Sequence, residues 1–229
     1  MKKALISGTS SGIGLATAKL FLERGMEVHG LDIQTPQIHN PHFISHTCDV
    51  TDIASFPEIN DVQIVVTCAG VQNSGSDLKV NYEGTKNVVE RYAFQASIES
   101  VLLLSSSSAH TGFEFADYSA SKGAVISYMK NVAWRLAKKY RATVNSISFG
   151  GVSTPLNRPV MEKEEAWKQI MDVTPLKKWT SPEEAAEWIY FLTIINSSCT
   201  GQDILVDNGE KDLNCTFLWP GFQGSTHVQ

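Results

Sequence analysis

Tyr118 and Lys122 stand four residues apart in Tyr118-Ser119-Ala120-Ser121-Lys122, a spacing that sets both side chains on one face of a helix. A free tyrosine titrates near pH ~10, and a cation within ~4–6 Å favours its phenolate. A phenol beside an ammonium can therefore exchange a proton with an alkoxide or a carbonyl oxygen. Spacing alone does not make a site, because Tyr82-Glu83-Gly84-Thr85-Lys86 repeats it. What precedes the two pairs differs. Val101-Leu102-Leu103-Leu104 reads as a buried strand and runs into Ser105-Ser106-Ser107-Ser108. Hydroxyls at the C-terminal end of a parallel strand face the crevice where ligands bind in open α/β sheets. No serine-ended strand precedes Tyr82, so chemistry is expected at Tyr118 and surface at Tyr82.

A second group lies at the N-terminus. Lys3-Ala4-Leu5-Ile6-Ser7 reads as a strand, Gly8-Thr9-Ser10-Ser11-Gly12-Ile13-Gly14 as a glycine turn, and residues 15–24 as an amphipathic helix. Such a turn lets backbone N–H groups approach a pyrophosphate resting at the positive end of the helix. The order is G-x-x-x-G-x-G rather than the commoner G-x-G-x-x-G. The next strand, Val28-His29-Gly30-Leu31, ends in Asp32, eighteen residues after Gly14. An acid there accepts hydrogen bonds from an adenosine ribose and repels a 2′-phosphate. Neither Ser11 nor Ile33 supplies an offsetting cation, so NAD is expected over NADP.

With both groups in view, residues 3–209 resemble the short-chain dehydrogenase/reductase family. The T-G-x-x-x-G-x-G turn of that family is met by Ser7-Gly8 through Gly14, which implies a cofactor-binding role for Ser10, Ser11 and Ile13 beside the three glycines, with Ile33 next to Asp32. The resemblance also implies that Asp49-Val50 contacts adenine. It sets Thr67-Cys68-Ala69-Gly70 where the family has N-N-A-G, so the two asparagines are missing while the Ala69-Gly70 pair that leaves room for the cofactor is kept. Asn81 is assigned a water-holding part in a proton relay through Lys122. Ser106 is the implied catalytic hydroxyl, twelve residues before Tyr118, with Ser105 and Ser107 as alternatives. Phe149-Gly150-Gly151-Val152-Ser153-Thr154 replaces a family proline by Phe149, and Gly150, Val152 and Thr154 are implied to hold the nicotinamide carboxamide. Lys122 is implied to bind the nicotinamide ribose as well. The last strand leads to Asp207-Asn208-Gly209, with Asn208 in place of a glycine.

These readings predict one α/β domain over residues 1–229, a doubly wound Rossmann fold whose parallel sheet has about seven strands flanked by helices. The implied activity is hydride transfer between nicotinamide and a secondary alcohol or ketone: a steroid-like or other carbonyl, a 3-oxoacyl thioester or a sugar alcohol. The short stretch after Gly70 and the Val80-Asn81-Tyr82-x-Gly84 run are similar to the bacterial 3α-hydroxysteroid dehydrogenase/carbonyl reductase branch, though its long insertion before the tyrosine is absent. An NAD(H)-binding sensor with the same fold and no turnover is the alternative. A homodimer or homotetramer is expected.

Composition fits this frame. The chain has 229 residues, 42% of them hydrophobic, enough for a full core, and its net charge of −5 leaves no basic footprint for nucleic acid. No apolar run approaches the ~20 residues of a membrane span, and Met1-Lys2-Lys3 leads straight into the first strand, leaving no room for a signal peptide. Cys48, Cys68, Cys199 and Cys215 show no C-x-x-C pairing, which reads as reduced thiols in a cytoplasmic protein. His39, His42 and His46 fall in a stretch whose Asn and Pro read as loop, so no metal site is expected. His110 reads as a solvated loop residue or a wall of the substrate pocket, and no histidine stands in a triad with Ser106. Residues 155–175 read as a substrate lid in which Met161, Trp167, Ile170 and Met171 recur at helical spacing, either lining an apolar site or packing the lid on the core. Residues 213–229, with Phe217, Leu218, Trp219, Pro220 and Phe222, read as a docking tail.

Overall fold

Apolar side chains along the central strands alternate between two cores, and that alternation defines the architecture. The computed structural model describes residues 1–113 and 115–213. In chain order the strands are β1 (Lys3–Ser7), β2 (Glu27–Asp32), β3 (Phe43–Thr47), β4 (Ile64–Thr67), β5 (Ser100–Ser106), β6 (Thr143–Phe149) and β7 (Asp203–Val206). The helices are α1 (Gly12–Glu23), α2 (Thr85–Tyr92), α3 (Ser108–Thr111), α4 (Ala116–Tyr140), α5 (Arg158–Met161), α6 (Glu164–Val173) and α7 (Pro182–Tyr190). Leu5, Val65 and Leu103 join one core with Val88 and Val89 of α2 and Val125, Met129 and Val132 of α4. Their neighbours Ala4, Ile6, Ile64, Val66, Leu102 and Leu104 join the other, with Ala18 and Phe21 of α1 and Ala185 and Ile189 of α7. A strand buried on both faces reads as a continuous apolar run, the pattern seen in β4 and β5. Each fully buried Leu or Ile contributes about 2 kcal/mol.

All strand pairs are parallel, in the order β3-β2-β1-β4-β5-β6-β7. The expected doubly wound, seven-stranded sheet is therefore present. From β1 the chain winds outward to β2 and β3, then returns to lay β4 on the other side of β1. The crevice at that reversal is where ligands bind in such sheets.

Local sequence explains the elements that carry the site. α4 has Asp117 in its first turn and Lys138 and Lys139 in its last, matching charge to the helix dipole. α7 opens with a capping box between Ser181 and Glu184 and with proline in its first turn. Only a 3₁₀ turn at Ile53–Ser55 fits between β3 and β4. Ahead of α2, Leu78–Gly84 forms a π-helical segment with Asn81 at its centre.

The loop reading of the histidine stretch needs correction. Phe43–Thr47 pairs with β2, which puts His46 in a strand. The His29 and His46 rings stack at 5.2 Å, and His29 Nε2 lies 3.1 Å from Glu27. The β-branched and aromatic residues of Phe43-Ile44-Ser45-His46-Thr47 outweigh the nearby Asn40 and Pro41. Of the expected docking tail, Leu213 is described and is 72% exposed, while the rest, including Cys215, lies outside the described residues. Among the described residues no helix is long and apolar enough to cross a membrane.

Candidate active site

β1 ends at Ser7, and the chain must turn under α1 within four residues. Gly8 makes that possible with φ +77°, a left-handed conformation that a side chain would strain, and a Cβ on it would lie 2.7 Å from the Ala69 backbone nitrogen. A Cβ on Gly14 would lie 2.0 Å from the Gly8 carbonyl oxygen. Both glycines are thus dictated by close backbone approach. The turn borders a cleft of about 750 Å³ lined by Gly8, Ser11, Gly12, Ile13 and Gly14 on one side.

Asp32, Ile33, Asp49 and Val50 line the same cleft, as do Cys68, Ala69 and Gly70. The Asp32 carboxylate accepts hydrogen bonds from the Ser10 and Gln34 backbone N–H groups, each at 2.8 Å, which fixes its direction. Ser10 itself is buried and serves through that bond rather than by lining the cleft. Hydrogen bonds from Thr51 hold the Asp49 carboxyl below its ordinary value. Burial pushes the Cys68 thiol up to about 12.

A smaller cavity of about 120 Å³ adjoins the cleft and shares Ile13, Cys68, Gly70 and Thr154 with it. Ser106, Tyr118, Lys122, Gly150 and Val152 meet there. α4 delivers Tyr118 and Lys122, β5 ends in Ser106, and the loop after β6 supplies Gly150 and Val152. Lys122 is 7% exposed, its Nζ donating to the Leu104 carbonyl at 3.3 Å and lying 5.8 Å from the centre of the Tyr118 ring. Burial lowers its ammonium to about 8. Ser105, an alternative to Ser106, also borders the cavity, but its hydroxyl donates to the Lys122 carbonyl at 2.9 Å. Ser106 Oγ accepts from the Ser108 backbone N–H at 3.2 Å and lies 3.1 Å from Ser108 Oγ. Ser107 lines neither space.

Asn81 lines neither cavity and is fully buried. Its Oδ1 accepts from the Val71 N–H (2.8 Å), while its Nδ2 donates to the Val71 carbonyl and to Ser121 Oγ (both 2.9 Å). Ser121 Oγ in turn donates to the Tyr118 carbonyl at 2.7 Å. Asn81 thereby ties the loop after β4 to the helical turn that carries Tyr118.

A family model described as Enoyl-(Acyl carrier protein) reductase matches residues 8–211. The chain belongs to the short-chain dehydrogenase/reductase family. Within this oxidoreductase family it is similar to the glucose 1-dehydrogenase of Gluconobacter oxydans (strain 621H), at 28% identity over 91% of each chain. Two solved structures share the short-chain dehydrogenase fold. One is a short chain dehydrogenase family protein from Francisella tularensis subsp. tularensis SCHU S4, with a TM-score of 0.79 and 24% identity, covering 92% of this chain and 98% of the other. The second is a 4-hydroxyisoleucine dehydrogenase complexed with NADH, with a TM-score of 0.81 and 24% identity, covering 92% of this chain and 99% of the other.

One expectation about this short-chain dehydrogenase/reductase chain changes in part, and one choice left open narrows. His110 is exposed, but it sits in α3 rather than in a loop and lines neither cavity: its Nε2 lies 2.7 Å from Asp203, whose side chain is 7% exposed. Asp203 also accepts from Ser146 and Ser148, so the histidine pins the segment between Ser106 and Tyr118 to β7. In the segment 155–175, Met161, Trp167, Ile170 and Met171 line neither cavity; Trp167 instead packs edge-on against Trp179 at 5.0 Å. The residues of that segment that do reach the cavities are Pro155, Leu156 and Asn157. Lys79, Gln72 and Ser76 also border these spaces and went unrecognised, since loop and π-segment residues carry no periodic signal.

Proposed function

We propose that this chain is an NAD(H)-dependent dehydrogenase or reductase acting on a small secondary alcohol or ketone. The observation that carries the reading is the convergence of Ser106, Tyr118 and Lys122 in a cavity that opens from a cleft bordered by Asp32. The cleft suits a dinucleotide: its wall is the bare glycine turn Gly8, Gly12 and Gly14, whose tight packing needs no side chain at Gly8 or Gly14, and Asp32 is preset by two N–H groups. Residues 8–14 would hold the pyrophosphate, Asp32 and Ile33 the adenosine ribose, and Asp49 and Val50 the adenine. Cys68, Ala69 and Gly70 would back the middle of the cofactor, and Gly150, Val152 and Thr154 its carboxamide. Lys79 lies beside Asp49, so Asp32 keeps its repulsion toward a 2′-phosphate.

A bound nicotinamide would supply or accept the hydride. Ser106 Oγ and Tyr118 Oη would hydrogen-bond the substrate oxygen. In reduction Tyr118 Oη gives its proton to the developing alkoxide; in oxidation it takes that proton back. The Lys122 ammonium stabilises the phenolate left behind and binds ribose hydroxyls. Asn81 fixes the turn below Tyr118, the role its three hydrogen bonds support. The cavity is small and, among the described residues and Lys122 aside, is walled by uncharged ones such as Gln72, Leu104, Phe149, Leu156 and Asn157, which favours a small uncharged carbonyl.

Fluorescence titration with NADH and NADPH, followed by oxidation of each with ketones, sugar lactones and oxoacyl thioesters, tests the reading. Tighter binding of NADH with turnover of a small ketone is expected. Equal or stronger binding of NADPH would remove the assigned role of Asp32.

A further inference from the structure

Glu210 has no part in the site described above, yet it lies where the segment returning from the lid meets the loop after β6. Its Oε1 accepts from Thr174 Oγ1 at 2.9 Å and from Trp179 Nε1 at 3.1 Å. Thr174 is the fully buried residue that ends α6. Trp179 leads into Thr180, which pairs with Val152 in an isolated parallel bridge. That bridge is held by the Ser153 N–H on the Thr180 carbonyl (3.0 Å) and the Thr180 N–H on the Gly151 carbonyl (3.1 Å).

The packing is as specific as the hydrogen bonds. The Trp179 indole covers Gly151 so closely that a Cβ there would lie 2.0 Å from it, and Glu210 Oε2 lies 3.1 Å from where a Cβ on Gly150 would stand. Burial raises the Glu210 carboxyl above its ordinary value, opposed by its bonds to Thr174 and Trp179 and by the Gly151 backbone. Among the described residues no ion pair offsets that burial. A half-buried carboxyl without a cation is destabilising on its own, and here it joins three separate segments.

We propose that Glu210 is a positioning residue that clasps the end of the lid to the 150–154 loop and so sets the nicotinamide end of the cofactor site. The proposal rests on the reading of that loop as the holder of the carboxamide. ADP-ribose carries the adenine, both riboses and the pyrophosphate but no nicotinamide, so it separates the two ends of the cleft.

The test titrates NADH by fluorescence and ADP-ribose by calorimetry into the full-length wild type, Glu210→Ala, Glu210→Gln and Trp179→Phe, with thermal melts to confirm folding. Glu210→Ala is expected to weaken NADH about tenfold and ADP-ribose less than about twofold, the size of lost hydrogen bonds to a charged acceptor. Glu210→Gln keeps an acceptor oxygen, and Trp179→Phe keeps a ring over Gly151; each should weaken NADH by only about two- to threefold. These two variants carry the test if Glu210→Ala does not fold. Equal loss of both ligands, or loss of neither, overturns the clasp. Failure of the wild type to bind ADP-ribose overturns the cofactor reading itself, and the clasp with it.

Discussion

Tyr118 with Lys122 and Tyr82 with Lys86 share one spacing, and the fold treats them in opposite ways. Tyr118 and Lys122 both lie inside α4, which packs on β5 and β6, so the face they share is turned toward the ends of those strands. Lys122 is buried against the Leu104 carbonyl. Tyr82 instead falls in the π-helical segment and Lys86 in α2. A π turn bonds residue i to i+5, which moves the i+4 position off the shared face. Tyr82 packs edge-on against Tyr128 at 6.1 Å, and Lys86 is exposed. A Tyr–Lys spacing becomes chemically meaningful only where a strand end faces it and helix geometry holds the pair in register.

The contrast can be broken most directly at Tyr118. Tyr118→Phe should lower turnover by about 10³-fold while leaving NADH affinity within about twofold, because it removes the proton donor and keeps the ring. A variant that retains turnover would leave the two pairs equivalent. Lys122→Met should lower turnover by about 10²-fold and at the same time raise stability at pH 7. The sign follows from burial, which lowers the Lys122 ammonium to about 8. An unfolded lysine titrates near ~10.4, so between the two values the unfolded chain binds more protons and wild-type stability rises with pH. The gain from Lys122→Met, about 3 kcal/mol below pH ~8, should vanish as pH approaches ~10.4. Thermal melts across that range check it, and a pH-independent difference would show that the lysine is not paying for its burial as a cation.

A smaller effect sharpens the comparison of strand ends. β5 ends in serines that line the cavity, whereas the Thr67 hydroxyl at the end of β4 is buried with no hydrogen-bond partner among the described residues. Thr67→Val should leave NADH binding unchanged and stabilise the protein by about 1 kcal/mol in denaturant melts. Least of all should change at the second pair: Tyr82→Phe and Lys86→Met are each expected to keep turnover within about twofold.

Much of this was legible in the sequence because backbone geometry leaves few alternatives. Gly8 and Gly14 are forced by close approach, and continuous apolar runs mark strands buried on both faces, so the turn, the cleft and the sheet could be read ahead of the fold. Asp32 was legible for the same reason: a carboxylate at the last position of a strand has little freedom. The parts that escaped depend on contacts between distant segments. His110 meets Asp203 across 93 residues, and no local pattern near either announces the other. Trp179 and Glu210, 31 residues apart, are equally silent until the chain folds back to the sheet. His46 was misjudged for a local reason, since the turn residues before it masked a five-residue strand whose identity comes from pairing with β2.

The strand order has a consequence for how the chain folds. β1 pairs with β4 some sixty residues away, Ala4 opposite Ile64, and this ladder joins the two halves of the sheet. Closing so long a loop loses conformational entropy before any contact is gained, and parallel sheets rich in such pairings fold slowly. The cleft straddles this seam, with residues 8–34 on one side and 68–80 on the other. A dinucleotide would then bind only after the halves have docked, and by mass action it would draw the folding equilibrium toward the assembled sheet.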